Sequence, residues 1–156
     1  MSLNEEVELL RSVPLFSRVE PSKLKLLAFT SERLTFSEGQ NLFKQGDMGD
    51  AAYVIIDGSA DVVIETPSGP LVVARLGRNA FVGEIAILCD VPRTATVTAG
   101  SKLEALKISK DLFFRLVKEF PEMAVEIMRE LGRRLEQTNA QLTEANRKLR
   151  LASGGD

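Results

Sequence analysis

Apolar residues change their spacing twice along the chain, and these changes divide it into three ordered segments. Over residues 1–30 they recur three or four apart, which predicts short helices. Residues 31–109 instead carry short runs of Val, Ile and Thr between glycine turns, a pattern typical of β-strands. Helical spacing returns over residues 110–150. Residues 151–156, which include two glycines and a serine, are expected to form a disordered tail.

The middle segment predicts an antiparallel β structure. Asp57 and Gly58 stand between two apolar runs as a two-residue hairpin signal, and the Pro-Ser-Gly turn after Thr66 leads into a further strand. The predicted strands include 53–56, 60–64, 71–74, 94–99 and 103–108. Because no helices separate these runs, the pattern favours an antiparallel β-sandwich or β-barrel rather than a parallel sheet. We expect a mainly β chain, an antiparallel jelly-roll β-barrel with N-terminal helices and a long C-terminal helix. The alternative is a jelly roll that binds no ligand.

The last segment predicts a short helix over 111–120, ended by Pro121, and a long helix over about 122–149. Apolar residues of the long helix alternate three and four apart in an a/d heptad pattern. Its heptad positions are Met128, Leu131, Leu135, Thr138, Leu142, Ala145 and Leu149. Such a helix would extend roughly 40 Å, more than the barrel can cover. We therefore expect a homodimer through residues 128–149; the alternative is a solvated helix that packs only its first two turns on the barrel.

Composition removes several classes of function. The chain of 156 residues has no histidine and one cysteine, which excludes hydrolases with a His base and ordinary zinc sites. We expect neither an enzyme nor a cofactor. Cys89 is expected to be a small packing residue, and a lone cysteine fits a reducing cytoplasm. The net charge of −2 and the short apolar runs argue against nucleic-acid binding by this chain alone and against a membrane span.

Residues 81–97 carry a chemistry of their own. Gly83 allows a tight turn at the start of a short helix, where backbone N–H groups favour an anion. These N–H groups belong to Glu84, Ile85 and Ala86. Arg93 follows Glu84 by nine residues, so its planar guanidinium can return to the same anion, and Thr94 adds a hydroxyl donor. The Glu84 carboxylate would repel a phosphate, but beside one it can accept a hydrogen bond from a sugar hydroxyl.

In order and spacing this segment resembles the phosphate-binding cassette of the cyclic nucleotide-binding domain family. The matching residues are Phe81, Gly83, Glu84, Ile85, Ala86, Pro92, Arg93, Thr94, Ala95 and Val97. The resemblance implies that the Gly-Glu turn and Arg93 hold a cyclic phosphate with support from Thr94, and that Glu84 accepts the ribose 2′-hydroxyl. It also extends over the barrel and both C-terminal helices, so it implies the family's fold for nearly the whole chain.

The same resemblance implies a site for the base. Bacterial regulators of the family contact the purine through a polar pair on the long helix, which falls here on Thr138 and Asn139. Thr138 also occupies a d position of the heptad, where a polar residue can instead set the helix register. Apolar Val62 and Val73 are expected to line the ribose and base side. We expect cyclic AMP as the ligand, with cyclic GMP as the alternative because Thr94 also suits guanine.

Ligand binding is expected to act through the C-terminal helices. A phosphate that pulls on Arg93 would shift the cassette against the short helix and re-aim the long helix at a hinge near Phe120 and Pro121. Two outputs remain open: a free-standing cyclic nucleotide sensor that regulates an unidentified effector protein, and the isolated N-terminal regulatory part of a longer transcription regulator. An enzyme on a jelly-roll scaffold is a third, weaker alternative.

Overall fold

The computed structural model describes residues 2–153, which form five α-helices and eight β-strands. The helices are α1 (Leu3–Arg11), α2 (Pro21–Thr30), α3 (Glu84–Cys89), α4 (Lys110–Glu119) and α5 (Pro121–Ala152). The strands are β1 (Glu32–Phe36), β2 (Asn41–Phe43), β3 (Ala51–Asp57), β4 (Ala60–Thr66), β5 (Gly69–Leu76), β6 (Phe81–Val82), β7 (Thr96–Ala99) and β8 (Leu103–Ser109). A 3₁₀ turn at Pro14–Phe16 lies between α1 and α2.

The strands form two antiparallel four-stranded sheets with the orders β1-β8-β3-β6 and β2-β7-β4-β5. This jelly-roll-like arrangement, with N-terminal helices and a long C-terminal helix, confirms the predicted fold class. The two sheets do not close into a barrel, because β1, β6, β2 and β5 each pair on one side only. Apolar side chains from both sheets meet between them and form one of the two hydrophobic cores.

The turn at Asp57 and Gly58 does not form the predicted hairpin. Strand β3 pairs with β6 and β8, whereas β4 pairs with β5 and β7, so the turn carries the chain from one sheet to the other. Gly58 has a φ of +89°, and a Cβ there would collide with the Lys102 carbonyl. The hairpin prediction was wrong because a glycine turn satisfies the backbone locally, while the partner of each strand is decided by distant apolar surfaces. The turn after Thr66 is a true hairpin, since Thr66 pairs with Gly69.

Strand β3 shows why its sequence is a continuous apolar run. All its residues from Ala51 to Ile56 are buried. Ala51, Tyr53 and Ile55 belong to the core between the sheets. Ala52, Val54 and Ile56 belong to the second core, which lies beneath the helices. A strand covered on both faces needs apolar residues at every position, which explains the unbroken apolar run of β3.

The two C-terminal helices meet at Phe120. Ser109 caps α4 by accepting a hydrogen bond from the Leu112 N–H, and α4 ends where Phe120 adopts φ −124° and ψ 78°. Pro121 then begins α5, as its fixed φ favours. Helix α5 has 32 residues and a length of about 48 Å. No helix within residues 2–153 is long and apolar enough to cross a membrane.

Helix α5 is buried only near its start. Met123 and Ile127 lie in the core beneath the helices. Four heptad residues beyond them are 57–69% exposed: Met128, Leu135, Leu142 and Leu149. The helix continues through Leu151 and Ala152, which corrects the expectation that the disordered tail begins at residue 151. Ser153 of that predicted tail is the C-cap of α5, and residues 154–156 lie outside the described residues.

Candidate functional site

A cavity of about 190 Å³ opens where β6 leads into α3. It is lined by Phe43, Val62, Leu76, Phe81, Val82, Gly83, Glu84, Ile85, Ala86, Arg93, Thr94, Ala95 and Val97. All seven cassette residues predicted as ligand contacts from Gly83 to Ala95 therefore face one space, together with Val62. Most of the lining is apolar, and its charged and hydroxyl groups come from Glu84, Arg93 and Thr94. Such a lining is typical of small-molecule sites, in which a few polar groups fix the ligand's orientation.

Gly83 determines how closely the backbone approaches Arg93. Its φ is +87°, a conformation that glycine adopts without strain. A Cβ at this position would lie 2.5 Å from Nη1 of Arg93 and 3.1 Å from the Phe43 ring. The glycine is therefore required twice, for the left-handed turn before α3 and for the space that the guanidinium occupies.

Backbone and side-chain contacts together hold Arg93 in place. Its N–H donates to the Asp47 carbonyl at 2.7 Å, and its own carbonyl accepts from the Gly46 N–H at 2.8 Å. The side chain donates from Nη1 to the Gly83 carbonyl at 2.8 Å, and from Nη2 to the Ala51 carbonyl. The guanidinium carbon lies 3.9 Å from the centre of the Phe43 ring. This cation–π contact and the carbonyls fix a charged group on the wall of the cavity.

The Arg93 charge is buried without a paired anion. The residue is 5% exposed, and no carboxylate within residues 2–153 forms an ion pair with it. Burial lowers the pKa of the guanidinium, an effect that nearby carboxylates such as Asp50 and Glu84 oppose. Two of its five N–H groups donate to carbonyls, and the buried Nε–H has no partner among the described residues. The site thus holds spare donors and a positive charge that forms no direct ion pair within the described chain.

Arg134 joins the long helix to the cassette. Its Nη1 donates to Oε1 of Glu84 at 3.3 Å, and its Nε lies 3.8 Å from Oε1 of Glu130. The Glu84 side chain is 13% exposed and that of Arg134 is 36% exposed. Sequence reasoning missed this residue, although it precedes Thr138 by one helical turn. Phe43 and Leu76 were missed as well, because they come from β2 and β5 and carry no local signal.

Val73 does not reach the cavity, which corrects the expectation for this residue. Val62 pairs with Ala74 and Val63 pairs with Val72, so Val73 is the extra residue of a bulge in β5. Its side chain is 48% exposed. A bulge shifts the alternation of side chains between the two faces of a strand, and Leu76 lines the cavity instead.

Thr138 and Asn139 lie on the exposed part of α5, outside the cavity lining. The Thr138 hydroxyl donates to the Arg134 carbonyl at 3.0 Å, and the Asn139 carbonyl accepts from the Thr143 hydroxyl at 2.9 Å. Within one chain, therefore, the two residues predicted to contact the purine base do not lie at the cassette. Their side chains follow the Arg134 contact by only one turn of the helix.

The cassette packs directly on the C-terminal helices. Ile87 of α3 shares a core with α4 residues Leu112 and Phe113. Asp90, which follows α3, forms a 2.8 Å ion pair with Lys110 at the start of α4. A displacement of α3 would therefore be felt by α4.

Two observations concern Cys89 and possible metal ligands. Cys89 ends α3 and is exposed, so it does not pack in the core as expected. Within residues 2–153 no three His, Cys, Asp or Glu side chains group closely enough to hold a metal ion.

Two known proteins are similar to this chain in sequence. The CRP-like cAMP-activated global transcriptional regulator of Mycobacterium tuberculosis is 29% identical over 138 residues, which are 88% of this chain and 62% of that protein. A cAMP-dependent protein kinase regulatory subunit of Mucor circinelloides is 37% identical over 108 residues, 69% of this chain and 25% of the subunit. This chain thus spans less than two thirds of both curated relatives.

The fold and the family follow from a solved structure and a sequence pattern. The N-terminal domain of a transcriptional regulator from Streptomyces coelicolor A3(2) superposes with a TM-score of 0.75 and 31% identity, covering 85% of this chain and 95% of that one. The pattern of the cyclic nucleotide-binding domain matches residues 33–120, a range that includes every residue lining the cavity. The chain belongs to the cyclic nucleotide-binding domain family.

Proposed function

We propose that this chain is a regulatory module that binds cyclic AMP in the cavity beside α3 and passes the signal through its C-terminal helices. Arg93 and the backbone N–H groups at the start of α3 bind the cyclic phosphate. Thr94 supports the phosphate with its hydroxyl, and Glu84 accepts a hydrogen bond from the ribose 2′-hydroxyl. The contacts at the start of α3 come from Gly83, Glu84, Ile85 and Ala86, and Ala95 continues the lining.

The buried guanidinium of Arg93 is the observation that carries this proposal. A charge removed from water is costly unless an opposite charge and hydrogen bonds compensate it. The carbonyls of Gly83 and Ala51 orient Arg93, but they leave its charge unbalanced. A phosphate in the cavity would supply both the negative charge and acceptors for the remaining N–H groups.

Glu84 suits the ribose rather than the phosphate. Its carboxylate is mostly buried and already accepts one hydrogen bond, from Nη1 of Arg134. A carboxylate has room for several donors, so the 2′-hydroxyl of a ribose can bind beside that contact. A nucleotide that lacks this hydroxyl should then bind more weakly.

Cyclic AMP is favoured over cyclic GMP by the relatives. The mycobacterial protein is described as cAMP-activated and the fungal subunit as cAMP-dependent. Thr94 lines the cavity and offers a hydroxyl that could also serve guanine, so cyclic GMP is the competing ligand.

We place the base toward the long helix of a second copy. The cavity, about 190 Å³, is smaller than the roughly 300 Å³ of a pocket that encloses a drug-sized ligand, so part of the nucleotide would extend beyond it. With Leu135 as an a position, Arg134 is a g position and Asn139 an e position. In a parallel coiled coil g and e residues of the two helices face each other. Asn139 of the second copy, with Thr138 beside it, would then approach the cassette near Arg134.

The homodimer itself rests on the exposed heptad residues of α5. Met128, Leu135, Leu142 and Leu149 recur every seven residues and are 57–69% exposed. A contiguous apolar seam of this kind marks an interface. We propose a two-fold symmetric pair through residues 128–149, with no catalytic activity and no nucleic-acid contact by this chain alone. The output is regulation of an effector protein or of further domains of a longer transcription regulator.

Calorimetric titration of the chain with cyclic AMP, cyclic GMP and 5′-AMP tests the proposal. We expect one site per chain, tightest binding for cyclic AMP and much weaker binding for 5′-AMP, whose phosphate is not closed onto the ribose. Tighter binding of cyclic GMP would reverse the ligand preference. If none of the three nucleotides produces heat of binding, the proposed binding function is refuted.

A further inference from the structure

Lys23 lies at the junction of α4 and α5, remote from the cavity lining. Its Nζ contacts Oε2 of Glu20 at 2.8 Å and Oε1 of Glu122 at 3.5 Å. The same ammonium lies 4.8 Å from the centre of the Phe120 ring. The Lys23 side chain is 15% exposed, and Glu20 raises its pKa, so the ammonium remains charged between these groups. Lys23 thus joins α2 to Phe120, at the break between α4 and α5, and to the first turn of α5.

Arg18 makes a second contact of the same kind one turn further along α5. Its Nε lies 3.7 Å from Oε2 of Glu126, whose side chain is 21% exposed. That oxygen is buried and has no hydrogen-bond partner among residues 2–153. Around these ion pairs, Val19 and Met123 pack in the same core. The segment from Arg18 to Lys23 therefore holds the first two turns of α5 by charge as well as by packing.

The α5 residues that contact Lys23, Arg18 and Glu84 all belong to one charged stripe of the helix. The stripe consists of Glu122, Glu126, Glu130 and Arg134, spaced four residues apart. Its first two members meet Lys23 and Arg18, and its last member meets Glu84. Between them, Glu130 contacts Arg134 at 3.8 Å. From Glu122 to Arg134 the helix advances about 18 Å without a break, so a tilt at its first turn displaces Arg134 from Glu84.

We propose that Lys23, with Arg18 in a lesser part, is a positioning residue of the nucleotide site. It fixes the start of α5, and α5 in turn sets where the Arg134 guanidinium meets the Glu84 carboxylate. This inference rests on the proposed cyclic AMP binding. The contribution of Arg18 is smaller, because its side chain is 70% exposed and its ion pair is longer.

Lys23→Met removes the charge and keeps an apolar stem over Phe120. We expect about threefold weaker binding of cyclic AMP, measured by calorimetry. Lys25→Met is the matched control, because Lys25 is an exposed residue of the same helix. The Lys25→Met variant should bind cyclic AMP with the affinity of the wild type. Equal affinity of the Lys23→Met variant and the wild type would overturn the proposal.

A double-mutant cycle separates positioning from a general loss of stability. If Lys23 acts through Arg134, Lys23→Met should have no further effect on affinity in an Arg134→Gln background. An equal loss of affinity in both backgrounds would contradict the proposed route, even if both variants unfold at lower temperature.

Hydrogen exchange without nucleotide tests the contact independently of ligand binding. Lys23→Met should accelerate amide exchange over residues 121–134, whereas Lys25→Met should not. If the wild type binds no cyclic nucleotide but exchange in Lys23→Met accelerates as expected, the proposed function fails while the stabilisation of α5 by Lys23 is supported. Unchanged exchange in Lys23→Met would refute that stabilisation.

Discussion

The cassette buries a charge, whereas the distal half of α5 exposes apolar side chains. Arg93 is 5% exposed and has no paired carboxylate within the described chain, while Leu142 and Leu149 are 57% and 69% exposed. Each region carries a group in the environment that suits it least. Under the proposed function two different partners would complete them: an anion would compensate the charge of Arg93, and a second apolar helix would cover the exposed side chains of α5.

Arg134 marks the boundary between these regions. Up to this residue α5 contacts the rest of the chain, through Met123, Ile127 and the charged stripe. Beyond it every residue to Ser153 is exposed. Because Arg134 also contacts Glu84, the last point of support of α5 is the cassette itself. A change at the cassette would therefore reach α5 at Arg134, directly before Leu135 of the exposed seam.

Leu142→Glu should produce the largest effect by breaking the seam. Each buried leucine contributes about 1.5–3 kcal/mol, so the two copies in a dimer lose about 3–6 kcal/mol, with charge repulsion in addition. We expect this variant to be a monomer in light scattering at micromolar concentrations, at which the proposed wild-type dimer should persist. Ala140→Glu adds the same charge off the seam and should stay dimeric. A monomeric wild type, with or without nucleotide, would contradict the proposed dimer.

Arg93→Ala should remove the charged group of the cassette and with it most of the binding of cyclic AMP. Loss of a charged partner from a desolvated phosphate costs about 2–5 kcal/mol, or about 30-fold to 3000-fold in affinity for cyclic AMP. Arg75→Ala serves as the control, because its side chain is 79% exposed and lies outside the cavity lining. Calorimetry that finds the Arg93→Ala variant within threefold of the wild type would mean that Arg93 does not bind the phosphate.

Glu84→Gln sharpens the assignment within the cassette. A hydrogen bond to a charged group is worth about 1.5–3 kcal/mol, so cyclic AMP should bind about tenfold to 150-fold more weakly. The affinity for the 2′-deoxy analogue should fall little, because that analogue has no 2′-hydroxyl to donate a hydrogen bond to Glu84. Equal losses for both nucleotides would indicate a structural role for Glu84 rather than a ribose contact.

Arg134→Gln tests the boundary residue and should have a smaller effect than the Leu142, Arg93 and Glu84 substitutions. Glu84 loses an orienting partner that is itself partly solvated, which we expect to weaken cyclic AMP binding about fivefold to tenfold in a titration. Arg133→Gln is the control, because Arg133 pairs with Glu130 and not with Glu84. Unchanged or tighter binding by the Arg134→Gln variant would show that this ion pair does not support the site.

Local sequence features determined the elements and the cassette. The glycine turns, the prolines at residues 21 and 121, and the change of apolar spacing set the helices and most strands within a few residues. The order and spacing of residues 83–95 sufficed for the family, because a tight turn and a returning arginine are encoded within one short segment. These predictions needed only neighbours along the chain, where steric and hydrogen-bonding preferences act directly.

Tertiary structure decided whatever depended on contacts between distant residues. Asp57 and Gly58 form a turn in either topology, and only the burial of both faces of β3 assigned them to a crossing between sheets. A bulge moved Val73 out of the cavity, since one extra residue changes which face a side chain takes. Arg134 entered the site because α5 passes the cassette, fifty residues after Glu84. No local spacing encodes such an approach, which depends on how the helix packs on the sheets.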